Sequence, residues 1–110
     1  MRSIGADGQT PPAGRVYVDP LMNHGWSLGP SCHMFVTAHQ DLELLHAKAA
    51  ELGLRREWFQ DKPRGMPHYD LTRSKRELAV TLGVVPVTLE ELVASLRTWR
   101  AWKKANDEND

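Results

Sequence analysis

The chain has 110 residues, 41% of them hydrophobic and 25% charged, with 14 basic and 14 acidic side chains in balance. Such a length and composition define one globular domain with one core, and zero net charge disfavours a protein whose main business is coating nucleic acid. No apolar run approaches the roughly 20 residues of a membrane span, and no secretory pattern opens the chain. The single cysteine, Cys32, excludes an internal disulfide and points to a reducing, cytoplasmic setting.

Met1 to Gly14 is rich in Gly, Pro and small polar residues and predicts a flexible leader outside the fold, ahead of a single domain over residues 15–105. Arg15-Val16-Tyr17-Val18-Asp19 is β-branched and aromatic and predicts a strand stopped by Pro20, with Asp19 at its C-terminal end. Polar groups there commonly line crevices in α/β sheets, although Asp19 equally suits a simple turn cap. Leu21 to Pro30 is a Gly-punctuated loop, and its Trp26 either packs onto the sheet, the favoured reading, or walls a pocket.

Ser31 to Thr37 predicts a second strand, with Cys32, Met34 and Val36 on one face and His33, Phe35 and Thr37 on the other. Cys32 reads as a small core residue. His33 is either hydrogen-bonded in place or a ligand and proton carrier. Asp41 to Gly53 predicts a helix with an Asp41 N-cap and the stripe Leu42, Leu45, Ala49 and Leu52, with His46 at its border.

Trp58-Phe59-Gln60 predicts a short strand, and Asp61 to Pro67 a mobile loop able to act as a lid. His68 to Leu71 is extended, and a helix follows from Arg73 to Leu82, its entry marked by the Ser74-x-x-Glu77 capping-box spacing and its core stripe by Leu78, Ala79 and Leu82. Val84 to Val87 contains Pro86 and suits a sheet edge. Thr88-Leu89-Glu90-Glu91 caps a last helix with Leu89, Leu92, Val93, Leu96 and Trp99 on one face and Trp102 half exposed. Residues 106–110 form an acidic tail expected to fray. The sum is an α/β or α+β domain: a mixed sheet of four to five short strands with three helices.

The chemistry concentrates in His68-Tyr69-Asp70-Leu71-Thr72-Arg73-Ser74-Lys75-Arg76. In an extended segment His68 and Asp70 share a face, and the helix start behind them offers free N–H groups and a positive dipole end. No dinucleotide or P-loop glycine motif, zinc-protease helix, paired C-x-x-C or nucleophile elbow is present.

Val16-Tyr17-Val18-Asp19, Cys32-His33-Met34, Asp41-Leu42-x-x-Leu45-His46, Leu52-Gly53, Trp58-x-Gln60, His68-Tyr69-Asp70-Leu71, Ser74-Lys75-Arg76, Ala79, Gly83 and Val87-Thr88 occur in order. This set, from about Arg15 to Leu96, resembles the bacterial and phage family called domain of unknown function 4031. The resemblance implies a small cytoplasmic domain and no particular activity. Family members begin almost at the first strand, so the leader departs from the pattern, as does the tail carrying Trp99 and Trp102.

Three readings of function follow. The first is a pocket for a phosphorylated or nucleotide-like ligand, in a hydrolase or transferase. There His68 or His33 is the acid–base, oriented by Asp70 or Asp19, and Asp19, Tyr69, Ser74, Lys75 and Arg76 bind the ligand. A version ranked below it is a metal site of His33, His68 and Asp70 or Asp19. The third is a non-catalytic module using Arg73, Lys75 and Arg76 on a protein or, less favoured at zero net charge, a nucleic acid. The plainest alternative is structural: Tyr69 and Leu71 as core, His68 and Asp70 bonded to loops, Ser74 to Glu77 as a helix cap. The sequence specifies neither a cofactor nor an oligomeric state.

Overall fold

The computed structural model describes residues 9–107. Its strands are β1 (Tyr17–Val18), β2 (Ser31–Phe35), β3 (His68–Thr72) and β4 (Val85–Pro86), joined in one sheet of order β3-β2-β1-β4. Its helices are α1 (Leu42–Glu51), α2 (Arg73–Thr81) and α3 (Leu89–Asp107). This is the small α+β domain with a mixed sheet that the sequence predicts. β2 pairs antiparallel with both β1 and β3, and β4 lies parallel to β1. Pro86 sits at the sheet edge because it has no N–H to give: Val85 and Val87, on either side, donate to the Val16 and Val18 carbonyls.

Residues opposite one another in a ladder share a face. Cys32 with Leu71 and Met34 with Tyr69 form the face that meets α1 and α2, and all four are buried with Leu45, Ala49 and Ala79. The Tyr69 hydroxyl reaches His46 Nδ1 on α1 at 2.8 Å. Burial holds the hydroxyl above its usual range and the imidazole below its own, so the pair is a neutral O–H donating to a neutral ring. Burial, then the charge of Asp19, pushes the Cys32 thiol up to about 12, so the cysteine packs and does not react as a thiolate.

The opposite face carries Ser31 with Thr72, His33 with Asp70 and Phe35 with His68. Residues 10–14 are bonded beside its Tyr17–Phe35 end: Tyr17 donates to the Pro12 carbonyl at 2.6 Å, and the Thr10 hydroxyl to Ala94 of α3 at 3.2 Å. Gly14 N–H donates to Asp41 Oδ2 at 2.6 Å, so Asp41 holds this segment and makes no side-chain cap on α1. Of the predicted leader, residues 1–8 lie outside the described residues. Of the predicted tail, Asn106 and Asp107 complete α3, and 108–110 lie outside.

Several local expectations are corrected. Arg56–Trp58 is a 3-10 turn, and only Gln60 bridges to His68, because the Pro/Gly loop follows at once and offers few donors. The loop itself is tied down: Lys103 Nζ donates to Asp61 Oδ1 at 2.7 Å and to the carbonyls of Lys62 and Gly65, and Arg100 Nε to that of Arg64. These bonds seat the loop against α3. α2 is capped by Thr72, whose Oγ1 accepts from Lys75 N–H at 3.3 Å, not by Ser74. On α2 only Ala79 is buried, and Leu78 and Leu82 are exposed.

The Thr88/Glu91 capping box forms reciprocally, at 2.9 and 3.1 Å. The inner stripe of α3 runs Leu92, Ser95, Leu96, Trp99, and Leu89 and Val93 face outward. Trp99 is buried, with its indole N–H on the Val36 carbonyl at 2.7 Å. Trp102 is half exposed and stacks on His39 at 4.5 Å between centroids.

Candidate functional site

A polar row crosses three adjacent strands. Asp19 follows β1, His33 lies in the middle of β2, and Asp70 faces His33 from β3. His68 stands two residues from Asp70 on the same face. The His33, His68 and Asp70 side chains are each partly exposed, so this part of the row is open to solvent.

Asp19 is 1% exposed and organises one side. Its Oδ1 accepts the backbone N–H of His33 at 2.6 Å, its Oδ2 accepts from His33 Nδ1 at 2.7 Å, and its own N–H donates to the His33 carbonyl. The carboxylate thus stands in the ladder where the Asp19 carbonyl would be expected. That carbonyl instead accepts from Arg76 Nε at 3.0 Å. The bond from Asp19, aided by its charge and opposed by burial, holds His33 above the usual histidine range.

On the other side His68 Nδ1 lies 2.7 Å from the Met66 carbonyl. A carbonyl only accepts, so Nδ1 carries a hydrogen and Nε2 is left facing Asp70 Oδ1 at 3.5 Å. Gln60 Nε2 donates to Asp70 Oδ2 at 2.6 Å. When His68 carries a second proton, on Nε2, its bond to Asp70 first, and then that of Gln60, hold the Asp70 carboxyl below its usual range against the pull of burial. The His33 and His68 rings meet edge to face, 4.9 Å between centroids.

His24, Trp26 and Ser31 join His33, His68 and Asp70 around a cleft of about 430 Å³, with Asp19 buried behind it. A second cleft of about 530 Å³ adjoins it, walled by Trp26, Leu28, Leu54 and Trp58, and Trp26, Gln60 and Asp70 line both. Trp26 and Trp58 are 39% and 50% exposed, so Trp26 walls a pocket, the less favoured of its two readings. A larger cleft of about 680 Å³ lies where α3 meets the 61–67 loop. It is lined by Arg64, Arg100, Lys103 and Lys104 with no histidine or nucleophile, and two of these cations are bonded to loop carbonyls.

Four of the predicted site residues therefore come together: Asp19, His33, His68 and Asp70. The others do not. Tyr69 points to the opposite face, against His46. Ser74 is exposed, and its hydroxyl is bonded only to Thr72. Lys75 donates its ammonium to the Leu52 carbonyl at 2.6 Å, although its stem lines the apolar cleft, and Arg76 is held by Asp19. An anion site at the start of α2 is not assembled, because its cations staple α2 to α1 and β1. Gln60, His24 and Trp58 were not predicted for the site. Only the bridge from Gln60 to His68, which no local pattern signals, brings that amide to Asp70.

The molecule is thus a small α+β domain with a histidine–carboxylate row beside an aromatic cleft. Residues 16–99 match the family described as "Protein of unknown function (DUF4031)", and the chain belongs to that family. The match reaches Trp99, further than the motifs in the sequence suggest. No curated protein and no solved structure matches the chain.

Proposed function

We propose that the two adjoining clefts form one binding site for a small nucleotide-like ligand, with its planar part between Trp26 and Trp58 and its polar end at His33, His68 and Asp70. The observation that carries this reading is the continuity of the clefts through Trp26, Gln60 and Asp70. Aromatic side chains hold a planar ring by stacking, worth about 1–3 kcal/mol per base. Imidazoles beside carboxylates supply acid–base groups for a hydrolase or transferase reaction at the polar end. The non-catalytic module rests on Arg73, Lys75 and Arg76, two of which donate to backbone carbonyls, so it has less support.

Thermal unfolding with a panel of nucleosides and nucleotides tests the proposal. A ligand at about 100 times its Kd should add roughly 2.7 kcal/mol, a rise of several degrees in a domain of this size. Trp58→Ala and His68→Ala should each fold and lose the shift. A panel without any shift, or one whose shift survives both variants, sinks the reading.

A further inference from the structure

From this geometry we infer that His33, His68 and Asp70 form a binding site for one divalent first-row transition metal ion. One donor atom from each of the three lies within 4.8 Å of the other two. Ligands bonded to zinc at about 2.0–2.1 Å sit about 3.4 Å apart in a tetrahedron, so the 3.5 Å between His68 Nε2 and Asp70 Oδ1 is already the right span.

The hydrogen-bond partners carry the case beyond proximity. His33 Nδ1 donates to the Asp19 carboxylate and His68 Nδ1 to the Met66 carbonyl. In the neutral ring each Nε2 is then a bare lone pair. Asp70 Oδ2 is occupied by Gln60, leaving Oδ1 free. With both rings neutral, three acceptors converge with no donor between them, an arrangement that a cation completes. Each prospective ligand also has the partner that metal ligands ordinarily have: a carboxylate or carbonyl on the second ring nitrogen of each histidine, and an amide on the far carboxylate oxygen.

Two histidines and one carboxylate suit zinc, iron or manganese and do not suit magnesium or calcium, which prefer all-oxygen sets. With three ligands on one sheet face, the ion's remaining positions point into the cleft that His24 and Trp26 line. Closed structural zinc sites take four protein ligands; a three-ligand set leaves room for water or substrate. The ion also resolves a conflict in the site. Asp19 and Asp70 repel a phosphorylated ligand, Lys75 and Arg76 are held elsewhere, and a divalent cation would supply the missing positive charge. The site rests on the three side chains and their partners, and does not depend on which organic ligand fills the aromatic cleft.

The test is titration of chelator-treated full-length protein with cobalt(II) alone, followed by visible absorption and by competition with zinc. We expect saturable uptake of one cobalt per chain, with d–d bands that zinc abolishes. His68→Gln and Asp70→Asn, both partly exposed positions, should fold and lose the bands. Gln60→Ala should weaken uptake about 10- to 100-fold, as loss of a supporting residue does. Absence of saturable uptake by the unaltered protein overturns the site. So does uptake that both ligand variants leave unchanged, which would put the cation elsewhere. Because no nucleotide is added, failure here leaves the aromatic cleft standing, and failure of the nucleotide panel leaves the metal site standing.

Discussion

Asp19→Ala is expected to destabilise the domain by about 3 kcal/mol, measured as a fall in the urea midpoint at unchanged slope. The carboxylate is 1% exposed and accepts both the His33 backbone N–H and the His33 ring. Removing it leaves a ladder N–H in the sheet interior without a partner, a loss of about 1–3 kcal/mol. The bond to the ring, charge-assisted on the carboxylate side, contributes about 1.5–3 kcal/mol more, and the relief of desolvating a buried charge offsets part of this. Asp19→Asn should be milder, because an amide oxygen can still accept the backbone N–H. Its NH₂ then faces His33 Nδ1, so the ring must present a lone pair there and carry its hydrogen on Nε2. That variant should keep the fold and lose cobalt binding, which separates the structural role of Asp19 from its orienting role.

Trp99→Ala should cost about 3–5 kcal/mol, a large share of the roughly 5–15 kcal/mol that holds a domain together. Trp99 is 2% exposed and packs against Trp102 at 5.7 Å between ring centroids. Its N–H is the donor for the Val36 carbonyl just beyond β2. Trp99→Phe fills most of the volume but leaves that carbonyl unpaired, so a loss of about 1–3 kcal/mol remains. Equal losses from the two variants would mean that the hydrogen bond, and not the packing, is what Trp99 provides.

What the sequence made legible is what short-range physics determines. Alternation in His68–Thr72 correctly separated the buried Tyr69 and Leu71 from the half-exposed His68 and Asp70. Thr88 and Glu91 announced the start of α3, Gly53 the end of α1, and Pro86 the sheet edge. Each of those signals is complete within a few residues. The misread features depend on partners distant in sequence. Ser74 to Glu77 has capping-box spacing, but β3 runs one register further and Thr72 takes the cap. Lys75 and Arg76 read as free cations because nothing local shows that the Leu52 and Asp19 carbonyls wait for them. Lys103 lies some 40 residues from the loop it fastens. The row Asp19, His33, Asp70 depends on strand register, which no single strand encodes.

In the neutral state His33 and His68 each hold a hydrogen on Nδ1 and turn a bare Nε2 into the same cleft. Long-range proton–nitrogen correlation spectra of the imidazoles, recorded in metal-free protein where the rings are neutral, read the tautomer directly. The structure predicts the Nδ1–H form for both histidines, with His33 alone switching in Asp19→Asn. A hydrogen on Nε2 of either neutral ring in the unaltered protein would place a donor where the site requires an acceptor, and would rule out the metal site.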